Sequence, residues 1–337
     1  MDQVSLVGPN DAASLKYHIE CTALFNPEIR RTFYIYAENR HLTELAELLQ
    51  SDKCLFIAES QLLDPQICRN KWIYQQLLKL SVDQLHKTHN LSELFLFTDV
   101  DTLPLRPVKR DLFFRGDTPL YYTHSEHESP TMTRNYTTPE NPVAAEASFA
   151  EWHYSMTWSS LQLLGIQQAD RLGAIDACVI WSQRTLRKLK RHVEKTTSLS
   201  WSEAIINKWL QFICTHQQCF FRCEGFRNIE FRRAHQAEKS AIIGIEELQQ
   251  NLRLGFSEWQ LYTYFTVYFE KAERRWLGLL GNNPGPHVCE FHNSMPQSQL
   301  QAILDNQGAT PFLYFYPGIN GSEETLNKYL GLLRNKE

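Results

Sequence analysis

Three times in the first ninety residues a short apolar or β-branched run is followed by a segment with helical periodicity. VSLV (4–7), RTFYIYA (31–37) and CLFIAE (54–59) read as strands, and the stretches at 13–25, 41–50 and 70–85 read as helices. A fourth apolar run, LFLFTD (94–99), closes the series. Strands separated by helix-length segments need crossover connections, so the pattern implies βαβ units and a parallel sheet with helices on its faces. In such sheets ligands bind outside the carboxyl ends of the strands. One rim is therefore expected to carry the turn Gly8-Pro9-Asn10-Asp11, Glu59 and the pair Asp99 and Asp101.

The rest of the chain is less regular. TPLYYTH (118–124) reads as a strand. The polar segment 125–146, rich in Pro, Thr and Glu, reads as a long loop. GAIDACVIWSQ (173–183) is a buried strand feeding a basic helix, RTLRKLKR (184–191), whose charges read as a solvated face. Helices are expected at 200–216 and 256–270, the second despite aromatic residues that favour strands. A loop at 285–296 and an apolar run at 311–317 follow. No repeat and no linker interrupts the chain. The expectation is one domain over 1–337, with an α/β front half and a more helical back half.

A net charge of −4 gives no global field for nucleic acid. No apolar run is long enough for a membrane-spanning helix, and the first residues carry no signal-peptide pattern. The eight cysteines form no CxxC pair. Cys214, Cys219 and Cys223 lie near one another, but reduced thiols in a cytoplasmic protein are the expectation.

Attention then falls on FTDVDTLPLRP (97–107), where an apolar strand runs into two carboxylates one residue apart. Such a pair repels itself, and partial desolvation adds several kcal/mol unless a cation compensates. Hard oxygen ligands suit Mg²⁺ or Mn²⁺, above all when a diphosphate supplies further ligands. The same aspartates also fit a turn cap before Pro104. An aspartate-nucleophile phosphatase would use D-x-D-x-T, but here Thr102 follows Asp101 directly, so the spacing is off by one. A nucleotide-sugar glycosyltransferase places D-x-D after about 100 residues of Rossmann-like sheet.

VGPNDA (7–12), KWIYQQLLKLS (71–81), FTDVDTLPLRP (97–107), IDACVIWSQ (175–183) and FSEWQLY (256–262) occur in this order. Together they resemble a bacterial family of GT-A-fold glycosyltransferase-like proteins, over about residues 4–265. The resemblance implies a GT-A-type, Rossmann-like, mostly parallel sheet flanked by helices. Residues 1–110 would bind the nucleotide sugar and 111–337 the acceptor. Gly8, Asn10 and Asp11 would meet the nucleoside. Lys71, Gln75, Gln76 and Lys79 on the helix, with Asp99, would face the diphosphate. Lys71, Gln75 and Lys79 fall at i, i+4 and i+8 and share a face, opposite Ile73, Leu77 and Leu80. That face is expected to be exposed, where Lys79 reads equally well as an ordinary surface lysine.

The resemblance also implies metal ligation by Asp99 and Asp101. His292 is the candidate third ligand, with His287, His124 and His127 as further options. Asp176 is expected at the sugar or acceptor, or as a strand-entry cap. Glu258 is expected to take the acceptor hydroxyl's proton, or else to sit in the first turn of a helix capped by Ser257. The function implied is metal-dependent transfer of a sugar, from a UDP-sugar before other nucleotide donors, to a glycan, lipid-linked, peptide or small-molecule hydroxyl. The alternatives are a GT-A-like protein that binds nucleotide or glycan without turnover, and the phosphatase.

Overall fold

The computed structural model describes residues 1–104, 106–125, 156–167, 172–173, 178–222, 255–272 and 274–276, with short stretches at 288–289, 312–314, 327 and 330–331. Its first third follows the expected alternation: β1 (Asp2–Val7), α1 (Ala12–Phe25), β2 (Thr32–Tyr36), α2 (Arg40–Leu49), β3 (Cys54–Ala58), α3 (Lys71–Leu80), α4 (Leu85–His89) and β4 (Leu94–Asp99). β4, β1, β2 and β3 lie side by side and parallel, with β1 paired to both β2 and β4. β1 is buried at every position, as the centre of a sheet covered on both faces should be.

The expected helix over 70–85 is broken. Asn70 caps α3 by accepting from the Ile73 N–H at 2.9 Å. At the other end the Ser81 hydroxyl donates to the Leu77 carbonyl at 2.9 Å, and the chain tightens into a 3₁₀ turn at Val82–Gln84. A serine that bonds its own helix backbone competes with helix continuation, and periodicity alone does not register this.

Three short strands follow β4, at Thr102–Pro104 (β5), Phe114–Arg115 (β6) and Thr118–Pro119 (β7), and then β8 (Tyr121–Ser125). The predicted strand at 118–124 is therefore divided. After β9 (Leu172–Gly173), the apolar run at 173–183 supplies β10 (Cys178–Ser182). β10 adds to β4 antiparallel, which makes the five-stranded sheet mostly rather than wholly parallel. α5 (Gln183–Thr197) starts at Ser182, whose side chain accepts from the Thr185 N–H at 3.1 Å. Its basic run is only partly a solvated face. Lys188 pairs with Glu270, Lys190 with Asp83 and Arg187 with Glu93, while Arg184 and Arg191 are exposed.

α6 (Trp201–Arg222) and α7 (Glu258–Tyr268) complete the long helices among the described residues. α7 is helical despite its aromatic content because Ser257 caps it and its rings pack on β4 and β10. Trp181 stacks on Tyr262 at 4.9 Å, and Trp259 meets Phe97 edge-on at 5.2 Å. The Tyr262 hydroxyl also accepts from the Ser182 N–H at 2.8 Å. α7 is thereby fixed along the face of β4 and β10. Among the described residues no helix is long and apolar enough to cross a membrane.

One face of the central strands is polar inside. Gln3 and Ser5 of β1, Thr98 of β4 and His18 of α1 are nearly or fully buried and joined by hydrogen bonds of 2.8–3.3 Å, and His18 also meets the Tyr34 hydroxyl at 3.0 Å. Burial pushes the His18 pKa down to about 3, so the ring is neutral. This network ties α1 to the sheet one residue before Asp99.

Candidate functional site

The register pairs Leu6 of β1 with Asp99, so the D-x-D segment leaves the sheet beside the start of the Gly8–Asp11 turn. Val100, between the two aspartates, is buried with Val7, Leu15 and Tyr34. Anchoring this middle residue inward leaves both carboxylates at the rim. The Asp99 side chain is 29% exposed, while Oδ1 of Asp101 is buried and has no hydrogen-bond partner among the described residues.

The Gly8 turn closes on itself. The Gly8 N–H donates to Asp11 Oδ2 at 2.7 Å, and a Cβ on residue 8 would lie 2.9 Å from that same oxygen. A side chain at residue 8 would push the Asp11 carboxylate out of this bond. Burial raises the Asp11 pKa; the Gly8 hydrogen bond lowers it and the charge of Asp99 raises it. Burial, followed by the charges of Asp99 and Asp11, pushes Asp101 up to about 7, against a smaller lowering by Lys79. Three carboxylates from two loops thus act on one another at the rim.

Beneath them lies a buried cation. Lys79 Nζ is 2.9 Å from Asp99 Oδ1 and 2.9 Å from Glu258 Oε1, with its side chain only 4% exposed. It also lies 4.9 Å from the centre of the Trp259 ring and 5.6 Å from that of Phe97. Burial alone would lower the lysine pKa, but the two carboxylates outweigh it and raise the value. Glu258 is fully buried, and burial raises its pKa against the lowering effect of Lys79. The Glu258 N–H donates to Gln76 Oε1 at 3.4 Å, one turn before Lys79.

Two expectations change here. Lys71, Gln75 and Lys79 do not form one exposed arc: Lys71 is exposed, Gln75 half-buried, and Lys79 buried like Gln76. The α3 face at Lys79 is covered by α7, a contact between distant segments that helical spacing does not reveal. Glu258, expected to take a proton from an acceptor, has no exposed surface and is engaged by Lys79. It also lies one residue after the N-cap Ser257, where the capping alternative put it.

Sequence reasoning named Asp11, Asp99, Asp101, Gln76, Lys79 and Glu258, and the fold brings these together with Gly8. Asn10 is exposed on the same turn. Asp176, His127, His287 and His292, and the loop from 126 to 146, lie outside the described residues, as does the side chain of His124. The reasoning missed the direct Lys79–Glu258 pair. Its signal was a lysine flanked by leucines inside LLKL (77–80) and a glutamate opening an aromatic helix, two charges set in largely apolar segments.

Among the described residues no three His, Cys, Asp or Glu side chains form a ready metal cage. The rim does fit a cation held by few protein ligands. Asp101 has a buried oxygen without a partner, and Asp11, Asp99, Asp101 and Glu258 outnumber the single Lys79. Mg²⁺ in particular is commonly held by one or two carboxylates, with phosphate oxygens and water completing the shell.

The family of unknown function DUF6492 matches residues 17–293. No curated protein matches the chain. Similar solved structures include the galactosyltransferase LgtC in complex with donor and acceptor sugar analogs, at 12% identity and a TM-score of 0.41, with 98% of this chain and 96% of that one covered. An active-site mutant of LgtC aligns at 11% identity and a TM-score of 0.40, covering 98% and 96%. The apo WbbM bifunctional glycosyltransferase aligns at 10% identity and a TM-score of 0.42, covering 98% of this chain and 49% of that one. Likenesses at these scores carry no weight in the functional reading.

Proposed function

The chain belongs to the DUF6492 family, and we propose that it is a metal-dependent glycosyltransferase that moves a sugar from a nucleotide-diphosphate donor to a hydroxyl acceptor. The observation that carries this reading is the buried Oδ1 of Asp101, without a hydrogen-bond partner among the described residues, close to the charges of Asp99 and Asp11 at the carboxyl rim of parallel strands. Carboxylates crowded in that way favour a site for a cation and a diphosphate. The motifs that resemble GT-A glycosyltransferases supply the sugar.

In this reading Asp99 and Asp101 hold Mn²⁺ or Mg²⁺, which when bound neutralises charge on the leaving diphosphate. Gly8, Asn10 and Asp11 border the nucleoside, a UDP donor being the first to test. Lys71 and Gln75, at the open end of α3, are assigned to the outer part of the donor. Residues 1–110 form the donor half of a single domain and 111–337 the acceptor half. In the same reading Asp176 meets the sugar or the acceptor, and His292 completes the protein's ligands to the metal.

The burial of Glu258 favours a second reading, a protein that binds a sugar nucleotide without turnover, because it leaves the acceptor's base unassigned. One experiment separates the two. The protein is incubated with UDP-sugars, Mn²⁺ and a panel of hydroxyl-bearing acceptors, water taking the sugar in the control without one, and release of UDP is followed with and without chelator. Metal-dependent release in the wild type, abolished in Asp101→Asn, supports the transferase. Tight UDP binding with no release from any UDP-sugar supports the binding protein.

A further inference from the structure

We propose that Lys79 and Glu258 are a positioning pair that fixes Asp99, holding its Oδ1 inward and leaving its other oxygen for the cation. This rests on the reading of Asp99 and Asp101 as the metal-binding pair. Lys79 is surrounded. Two of its three donors have carboxylate partners at 2.9 Å, and two aromatic rings lie against the ammonium group. The group has no open side from which to reach a substrate. Lys79 thus acts on the rim through Asp99.

Glu258 is required for that placement. An ammonium buried against one carboxylate follows that carboxylate wherever it moves. One held between two, on separate elements, stays where both can reach it. Glu258 is on α7 and Asp99 is on β4, so Lys79 of α3 ties three elements at one point. The Glu258 N–H to Gln76 bond fixes α7 on α3 a second time. Asp99 also faces repulsion from Asp11 and Asp101. Without an anchor its carboxylate would turn away from them, and the two-oxygen site would be lost.

The test is Mn²⁺ binding to the full chain, read from the loss of the free Mn²⁺ resonance, with near-UV circular dichroism as a check on packing. The wild type binds and Asp101→Asn does not. Glu258→Gln keeps an oxygen that accepts from Lys79 and binds within about threefold of wild type. Glu258→Met, similar in size, binds at least about tenfold more weakly, the loss expected for a residue that orients a metal ligand. If Glu258→Met does not fold, the double variant Lys79→Met/Glu258→Met removes both buried charges together and carries the same expectation. Wild-type affinity in the folded Met variant, single or double, overturns the positioning role and leaves the metal reading intact. No Mn²⁺ binding to the wild type overturns both.

Discussion

Oδ1 of Asp101 is buried without a hydrogen-bond partner among the described residues, and the charges of Asp99 and Asp11 act on it. With its pKa pushed up to about 7, the folded protein binds a proton there that the unfolded chain, at about 3.8, does not. Stability from this group therefore falls as pH rises from about 4 to 7. Removing the charge relieves that cost. Asp101→Asn is expected to stabilise the metal-free protein by on the order of 2 kcal/mol at pH 8, and by less at pH 5. Urea denaturation at the two pH values checks this; a variant less stable than wild type at pH 8 contradicts it. The aspartates were legible from the sequence because D-x-D after an apolar strand is a local pattern. That Lys79 holds Asp99 from below was not, since the pair depends on a fold-level contact.

The elements around the site are joined at Gly255, just before the Ser257 cap of α7. Gly255 has φ of 88°, and a Cβ there would lie 2.9 Å from Trp209 and 3.0 Å from Phe212 of α6. Both the backbone and the packing exclude a side chain. Gly255→Ala is expected to cost about 2–4 kcal/mol, measured by denaturant unfolding, and to loosen α7 over Lys79. A change under about 0.5 kcal/mol would show that α6 and α7 can separate freely. β1 to β4 and α1 to α3 were readable because short apolar or β-branched runs alternate with helix-length segments. The break at Ser81 and the antiparallel arrival of β10 were not, because one depends on a serine hydroxyl choosing a helix carbonyl and the other on which sheet edge was free.

Across the described part of the molecule, His18 and Asp2 contribute stability that is lost in acid. His18 is neutral, with its pKa lowered by burial from 6.5 to about 3, so the unfolded chain takes up a proton first as pH falls. Its contribution is lost progressively from about pH 6.5 down to 3. Burial alone would raise the Asp2 pKa, but hydrogen bonds from Arg30, Ser92 and Arg31 outweigh it and bring it down to about 2. The Asp2 contribution is present above about pH 3.8 and lost as pH falls towards 2. His18→Gln is therefore expected to flatten the stability profile between pH 6.5 and 4, measured by denaturant titration at several pH values. An unchanged slope would mean that His18 binds its proton alike in the folded and unfolded chain. Neither group was singled out in the sequence: an isolated histidine in a helix and an aspartate at position 2 carry no local signature.

In the proposed reading the rim of β1 and β4 binds a metal-bound nucleoside diphosphate. The most direct measurement is the melting temperature of the wild type and Asp101→Asn with UDP, with Mn²⁺ and with both. A ligand that binds only the native state raises it by mass action. The account predicts a rise in the wild type only when UDP and Mn²⁺ are present together, abolished by chelator and absent in Asp101→Asn. No rise with UDP or any other nucleoside diphosphate, or the same rise in Asp101→Asn, would contradict it.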